Sequence, residues 1–474
     1  MTDQRSSVGT TLDAGQAASL NEDAGGLHRR LSQRQLTMMA IGGAIGVGLF
    51  LGSSVTIRLA GPAVILSYLL GAGIALIMSY VLAEMAVVHP VAGAFGVYAQ
   101  KYLNPWAGFA VRATYGIAQI IAIGAEVTAA AIYISFWFPH VPQWIWVVLV
   151  SAALVAVNSM QVNRLGEFEY WFAMIKVTAI VAFIIVGLSL ILGVGSRPAI
   201  GFANLTRYGG FFPAGWKGVW LSLTITVTSY MGVEIISVTA GEAQDPRTTI
   251  PRAMRNIVYR LIVFYVLAIT IMVGMAPWNQ TAGASTLSGS PFVTAFAAAH
   301  IPFAAGIMNF VVLTAALSSV NTNLYLSTRM VFSLGQGGYF PQWMGKISSN
   351  GVPHRALLAS TGGIVAAILL AKFAPQNAFL MLYGTAVAGM LFVWLVILFT
   401  HLQFRRAIGR QQLLSLPMRL RAHPAFTVAG IILLLGISVT TFFVNGLKWS
   451  VPAFAVFLAL MSLMYLLGRR RGSV

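Results

Sequence analysis

The chain has no cysteine and few charged residues, and each shortage excludes a class of protein. Without cysteine it has no disulfide, no thiolate metal site and no thiol nucleophile. Only 8% of its 474 residues are charged, whereas soluble domains have about 25%. A water-soluble protein needs many more polar side chains than this for its loops and outer faces. Since 58% of the residues are hydrophobic, lipid is the main solvent of this protein.

Acidic residues are the scarcest charges, and their shortage argues against several classes of function. The chain has 11 Asp and Glu against 29 Lys and Arg. The 7 histidines lie far apart in the sequence, so we do not expect a metal-binding cluster. The sequence also lacks the glycine-rich P-loop motif of nucleotide-binding proteins. We therefore expect neither an enzyme nor an ATP-driven pump, and no metal or organic cofactor.

Long apolar runs dominate what is present. A transmembrane helix needs about 20 mostly apolar residues, and the sequence contains twelve such segments separated by polar or Pro- and Gly-containing breaks. They begin near Leu36, Pro62, Trp106, Gln143, Phe168, Trp216, Ile257, Pro291, Ala356, Phe379, Phe426 and Val451. We number them spans 1 to 12, and they predict an all-α integral membrane protein.

Lysine and arginine are concentrated in alternate loops, which predicts the orientation of the chain. If both termini are cytoplasmic, 20 basic residues lie on the inner side and 6 on the outer side. Cytoplasmic loops carry such an excess of positive charge, so we predict cytoplasmic N- and C-termini. The net charge of +18 thus reflects membrane topology, and we do not expect nucleic acid as a partner.

Two spans contain glycine and polar residues where an ordinary transmembrane helix stays apolar. Span 1 has the segment 40–54, with five glycines between Gly42 and Gly52, and span 6 has the segment 226–246. Glycine inside a helix costs about 1 kcal/mol relative to alanine. The glycines predict either interrupted helices beside a cavity or close helix packing. Interrupted helices at corresponding positions of two repeats mark the binding site of secondary transporters.

These segments, taken in order, resemble the amino acid–polyamine–organocation superfamily, and within it the bacterial permeases for GABA, lysine, aromatic amino acids and proline. The resemblance extends from about residue 27 to the C-terminus. The matching pieces are GGAIGVGLFLGS (42–53), LAGP (59–62), NPWAGF (104–109), GAEVTAAAIYISFWFP (124–139), RLGEFEYWFAMIKV (164–177), GVEIISVTAGEAQDP (232–246), VLTAALSSVNTNLYLSTRM (312–330) and GVPHRALL (351–358). Their common order and spacing make the resemblance specific.

The resemblance implies a fold of two inverted five-helix repeats with discontinuous helices 1 and 6. It places the substrate midway across the membrane, between spans 1, 3, 6, 8 and 10. The substrate carboxylate is expected on freed backbone N–H groups of span 1, at Ile41, Gly42, Gly43, Ala44 and Gly46. The amino group is expected on freed carbonyls of span 6, in a segment containing Thr228, Ser229, Tyr230 and Met231.

The resemblance also assigns a coupling role to a lysine within span 5. In proton-coupled relatives a lysine in this span replaces a sodium ion, so Lys176 is expected between span 1 and the hydroxyls of Ser318 and Ser319 in span 8. An ionisable residue inside a span is a functional candidate. The alternative is a lysine whose ammonium group extends to the cytoplasmic headgroups.

Four further ionisable residues lie within or near the spans. Glu126 in span 3 and Glu234 in span 6 are candidates for gating or proton relay, and Glu234 could instead brace the span 6 break. Glu84 and Arg112 are expected to have a structural role, either paired with each other or in contact with lipid headgroups.

The sequence divides into five regions. Residues 1–26 are polar and predict a disordered cytoplasmic tail. Residues 27–402 form the predicted ten-helix inverted-repeat core, and residues 403–424 a cytoplasmic basic loop. Residues 425–468 contain two additional transmembrane helices, and residues 469–474 a basic cytoplasmic C-terminus.

These observations together predict a secondary active permease of the cytoplasmic membrane. It is expected to import an amino acid, preferably a neutral one, by proton symport with alternating access, with the proton as coupling ion. One alternative is a proton-independent exchanger or facilitator, and another is a non-transporting amino acid sensor with the same fold. The expected partners are the amino acid and membrane lipid, and the sequence leaves the oligomeric state open.

Overall fold

The computed structural model describes residues 45–91, 94–159, 162–194, 198–238, 246–281, 290–298, 303–348, 352–374, 378–444 and 447–470. These ranges contain helices and no β-strand. The predicted tail at 1–26, the first part of span 1 and residues 471–474 lie outside the described residues.

The spans appear in the predicted order. Span 1 has two short helices, Val47–Phe50 and Gly52–Ala60. Span 6 is also divided, into Gly215–Ser229 and Ile235–Val238. Spans 2 to 5 are Val64–Val88, Pro105–Ser135, Gln143–Asn158 and Val162–Leu192. Spans 7 and 8 are Pro246–Met275 and Ala304–Gln336, and span 9 is His354–Ser360 followed by Gly362–Phe373. Spans 10 to 12 are Ala378–Ala407, Ala425–Thr440 and Ser450–Arg470.

Nine helices in the described ranges are long and apolar enough to cross a membrane. One of them, Gly52–Val88, includes both the second half of span 1 and span 2, because a 3₁₀ turn at Gly61–Ala63 joins the two. Span 4 is a shorter apolar helix of 16 residues, and span 6 is broken. Spans 1, 4 and 6 therefore complete the twelve, and the chain is an all-α integral membrane protein.

The predicted start of span 8 at Pro291 is wrong. Pro291–Ala298 is a separate short helix, and span 8 begins at Ala304. Proline suits the first turn of a helix, where its missing N–H leaves no hydrogen bond unmade. Two apolar helices in sequence look like one long run, so hydrophobicity alone does not separate them.

Span 10 continues past its predicted end at residue 402. It reaches Ala407, with Arg405 and Arg406 in its last turn, and the short helix Arg410–Leu414 follows within the predicted loop 403–424. Basic side chains are favourable at a helix C-terminus because of the helix dipole. The two arginines therefore stabilise a last turn that lies beyond the apolar run from which the span was predicted.

Span 3 is the central helix, in contact with spans 4, 8, 9, 10 and 12. Its contact with span 9 is so close that glycine is needed on both sides. A Cβ atom on Gly363 would lie 1.7 Å from the carbonyl oxygen of Ile120, and one on Gly124 would lie 2.6 Å from the carbonyl oxygen of Gly363. Small residues allow membrane helices to approach in this way.

Glu84 and Arg112 do not pair with each other. Glu84 is fully buried, and its carboxylate accepts hydrogen bonds from Arg405 Nε at 2.7 Å and from His401 Nε2 at 2.9 Å. Arg112 donates instead to Gln100 Oε1 at 2.6 Å. In the folded chain the end of span 10 lies beside the end of span 2. These two ends are far apart in the sequence, so the sequence alone did not predict this pairing.

We expect substitution of Gly363 by alanine to destabilise the fold. The new methyl group would overlap a backbone oxygen of span 3, and overpacking of this kind costs about 1–3 kcal/mol. The measurement is the apparent melting temperature of the detergent-purified protein. Gly362→Ala is the matched control, because a Cβ there would meet nothing within 4 Å. Equal melting temperatures for the two variants would contradict the close contact of spans 3 and 9.

Candidate functional site

The interruption of span 1 lies at Leu51. The amide of Ser54 bonds to the carbonyl of Leu51, three residues back, at 3.1 Å. The carbonyl of Phe50 is freed from the helical pattern, and it accepts a hydrogen bond from Ser290 Oγ at 2.6 Å. A residue next to the short helix Pro291–Ala298 thus compensates for the break, as buried backbone groups require.

The interruption of span 6 occupies Tyr230 to Glu234. Gly232 has a φ of 119°, a conformation that glycine adopts without steric cost. The amide of Gly232 donates to Glu234 Oε2 at 2.9 Å, after which the helix resumes at Ile235. Glu234 therefore braces the broken backbone, which is one of the two roles considered for it.

The span 1 glycines that precede the break at Leu51 lie against the end of the first span 6 helix and against neighbouring spans. A Cβ on Gly48 would lie 3.3 Å from Ser229 Cα and 3.1 Å from the hydroxyl of Tyr383. A Cβ on Gly46 would lie 2.6 Å from Ser319 Oγ and 3.4 Å from Glu126 Oε1. Glycine at both positions lets the span 1 backbone approach spans 3, 6, 8 and 10.

A cavity of about 90 Å³ lies where these elements meet. Its lining comes from the same five spans that the family resemblance implies, spans 1, 3, 6, 8 and 10. The lining residues are Gly46, Gly48, Gln119, Ala122, Ala125, Glu126, Thr228, Ser229, Met231, Gly232, Glu234, Ile235, Asn323, Tyr383, Ala386, Val387 and Met390.

Buried side-chain oxygens line this cavity. Glu126 Oε2 has no hydrogen-bond partner among the described residues. Ser229 and Glu234 also present buried oxygens, and these lie near the hydroxyl of Tyr68 and the indole of Trp394. The hydroxyls of Thr228 and Tyr383 bond to each other. Buried polar groups are nearly always paired in folded proteins, so an unpaired carboxyl oxygen beside a cavity favours a polar guest.

Glu126 connects the cavity with the lysine of span 5. Its carboxyl lies against the backbone N–H of Val47 and interacts electrostatically with Lys176. Lys176 is fully buried, so its ammonium group does not extend to the headgroup region. Ser318 and Ser319 are also buried, and Ser319 is the residue nearest to Gly46.

Five of the residues expected to contact substrate lie in the described ranges, and the structure brings four of them together. Gly46, Thr228, Ser229 and Met231 line the cavity. Tyr230 does not: its hydroxyl donates to the carbonyl of Tyr68 at 2.8 Å, and its ring packs on Tyr68 and Tyr265. It faces spans 2 and 7, and we exclude it from the site. Ile41, Gly42, Gly43 and Ala44 lie outside the described residues.

Two amide side chains of the cavity were not among the predicted site residues. Gln119 and Ala122 precede Glu126 by seven and four positions in span 3, a helical spacing that places all three on one face. Asn323 follows Ser319 by four positions in span 8 in the same way. Both amides could have been identified from the sequence, because each lies at a helical spacing from a predicted site residue, Gln119 from Glu126 and Asn323 from Ser319.

Comparison with known proteins agrees with this architecture. The profile of the family described as amino acid permease matches residues 35–470. An uncharacterized amino acid permease of Bacillus subtilis, YtnA, is 40% identical over 84% of this chain and 86% of its own length. The gamma-aminobutyric acid permease of the same organism is 37% identical over 95% of this chain and 96% of its own length.

A third relative, the probable threonine/serine transporter YbxG of Bacillus subtilis, is 37% identical over 93% of this chain and 94% of its own length. The similarity to these two 37% identical relatives covers nearly the whole chain. With the family profile, the broken helices and the central cavity taken together, the chain belongs to the amino acid permease family.

Proposed function

We propose that this permease imports a small neutral amino acid across the cytoplasmic membrane by proton symport. The observation that carries the proposal is the cavity at the meeting point of the two broken helices, with its buried side-chain oxygens. Non-helical backbone at membrane depth is tolerated only inside protein or beside a cavity. Alternating access would then expose this cavity to each side of the membrane in turn.

The size of the cavity favours a small substrate. For comparison, an apolar cavity of about 150 Å³ binds benzene, which has six non-hydrogen atoms. The cavity of about 90 Å³ is smaller than this, so it favours the smallest amino acids, such as alanine. Larger amino acids require the cavity to enlarge, and an aromatic one most of all.

The two ends of the substrate have different surroundings in this proposal. Its carboxylate binds backbone N–H groups of residues 41–46, in the glycine-rich segment of span 1. Its amino group lies towards Thr228, Ser229 and Met231. The lining contains Glu126 and Glu234 but no Lys or Arg among the described residues. A zwitterion therefore fits if its ammonium group lies towards Glu234, in the span 6 interruption close to Met231.

The coupling proposal rests on the position of Glu126. It faces the span 1 backbone beside Gly46 and interacts with Lys176. Charges at short distance interact strongly in the interior, where the dielectric constant is low. A proton gained or lost by Lys176 and Glu126 would change the affinity for a carboxylate a few ångströms away. Ser318 and Ser319 complete the proposed coupling site on the span 8 side.

Two other functions use the same cavity. A proton-independent exchanger needs the substrate site without the coupling pair, and a sensor needs the site without transport. The buried Lys176 beside Glu126 favours proton symport, because an ionisable pair inside a membrane protein is retained at a free-energy cost. Transport assays separate the three functions directly.

The first prediction concerns Gly48. Leucine at this position would project its side chain towards Tyr383 and Ser229 and fill the cavity, so we expect uptake to fall at least about tenfold, a loss of more than about 1.4 kcal/mol in binding. The measurement is radiolabelled alanine uptake into proteoliposomes, normalised to reconstituted protein. Gly362→Leu, on an open face of span 9, is the matched control. Unchanged uptake by Gly48→Leu would remove this cavity from the transport path.

The second prediction concerns Lys176. We expect Lys176→Met to abolish accumulation of substrate driven by a pH gradient, because the charge that responds to the proton is gone. Exchange of internal for external substrate should persist. The test compares both assays in proteoliposomes, with and without uncoupler. If the variant still accumulates substrate and the uncoupler still dissipates it, the coupling role belongs to another residue.

A further inference from the structure

A second cleft opens on the surface of the helix bundle between spans 2, 7 and 11. Its volume is about 1070 Å³, roughly ten times that of the substrate cavity, and the two share no lining residue. Ligand sites for small molecules are usually about 300–1,000 Å³. The cleft is thus far larger than a single small amino acid needs.

One part of the cleft is an apolar slot. Leu69 and Leu70 of span 2 line it, and both are nearly half exposed, at 46% and 45%. Phe426 and Leu433 line it from span 11, seven residues apart, which is about 10 Å along a helix. Gly73 of span 2 also lines the cleft, and a Cβ there would meet nothing within 4 Å. The slot therefore has the shape and chemistry to take a hydrocarbon chain.

The other part of the cleft is strongly basic. It is lined by five exposed arginines, three at the start of span 7 and two in the loop between spans 10 and 11. They are Arg247, Arg252, Arg255, Arg419 and Arg421. The described lining residues include no Asp or Glu. Arginine guanidinium groups bind phosphate through paired N–H donors, so this region favours a phosphate-bearing anion.

The loop that carries two of these arginines is held by a buried acid. The amide of Leu420 donates to Glu84 Oε1, and the carbonyl of Leu420 accepts from Arg405 Nη2 at 2.9 Å. Arg405 Nη2 in turn donates to Glu84 Oε1 at 2.6 Å, and Glu84 is fully buried. Both backbone groups of Leu420 are thus fixed, and the arginines on either side of it are held at the cleft. Such preorganisation favours binding.

We propose that this cleft is a binding site for an anionic phospholipid. Its negatively charged phosphate headgroup binds the five arginines, and one acyl chain lies in the slot between Leu70 and Phe426. Basic pockets between membrane helices bind anionic lipid headgroups in this way. The slot lies along membrane-spanning helices, which are surrounded by lipid. The predicted orientation of the chain places the five arginines at the inner surface of the membrane, which is rich in anionic lipid. The proposed lipid site is independent of the transport mechanism.

The test measures lipid binding by native mass spectrometry of the delipidated protein. Phosphatidylglycerol and phosphatidylcholine with identical acyl chains are the probes, and inorganic phosphate is the competitor. We expect preference for phosphatidylglycerol and no competition by phosphate at equal concentration. The double variant Arg419→Gln/Arg421→Gln should weaken phosphatidylglycerol binding at least about tenfold, because each arginine contributes separately to headgroup attraction. Arg410→Gln, an exposed arginine outside the cleft, is the matched control.

A second variant tests the apolar slot without changing any charge. Gly73→Leu fills open space in the slot and should weaken binding of both lipids. Equal binding of the two lipids by the wild type, or full retention of phosphatidylglycerol by the double arginine variant, would overturn the proposal. Displacement of lipid by inorganic phosphate would overturn it as well, by identifying a site for a free anion.

Discussion

Every backbone N–H and C=O group at membrane depth needs a hydrogen-bond partner, and spans 1 and 6 each interrupt the helix that would supply one. The remaining architecture is organised around these two interruptions. Ser290 bonds to the freed carbonyl of Phe50, and Glu234 bonds to the freed amide of Gly232. Spans 3, 8 and 10 complete the enclosure, so that Gly46 and Gly48 of span 1 and the interrupted backbone of span 6 line a small cavity.

The same constraint explains why glycine and acidic residues occur together in an otherwise apolar interior. Gly46 and Gly48 allow the span 1 backbone to contact Ser319, Glu126 and Tyr383 directly, and any larger residue would separate these groups. Glu126 then lies between the backbone of span 1 and Lys176. The cavity and the Glu126–Lys176 pair share one carboxyl, so a change in either can affect the other without a large structural change.

Much of this could be predicted from the sequence, because hydrophobic length, glycine clusters and isolated charges are local signals. The two broken spans, the positions of Thr228 and Ser229, and the burial of Lys176 all follow from such signals. The sequence did not predict the direction of Tyr230, the pairing of Glu84 with Arg405, or the separate helix that begins at Pro291. The first two depend on which distant helices meet, and the third on where two apolar helices divide.

The absence of native cysteine permits the most direct test of the central claim, that the substrate binds in the cavity between the broken helices. Ala386→Cys places a single thiol in the cavity lining, and Gln412→Cys places one on the exposed segment after span 10. The measurement is the rate of maleimide labelling of each variant with and without added amino acids. If the substrate binds in the cavity, alanine or another small neutral amino acid slows labelling at position 386 but not at 412, and phenylalanine slows neither. Unchanged labelling at 386 with every amino acid that the same variant transports would contradict the central claim.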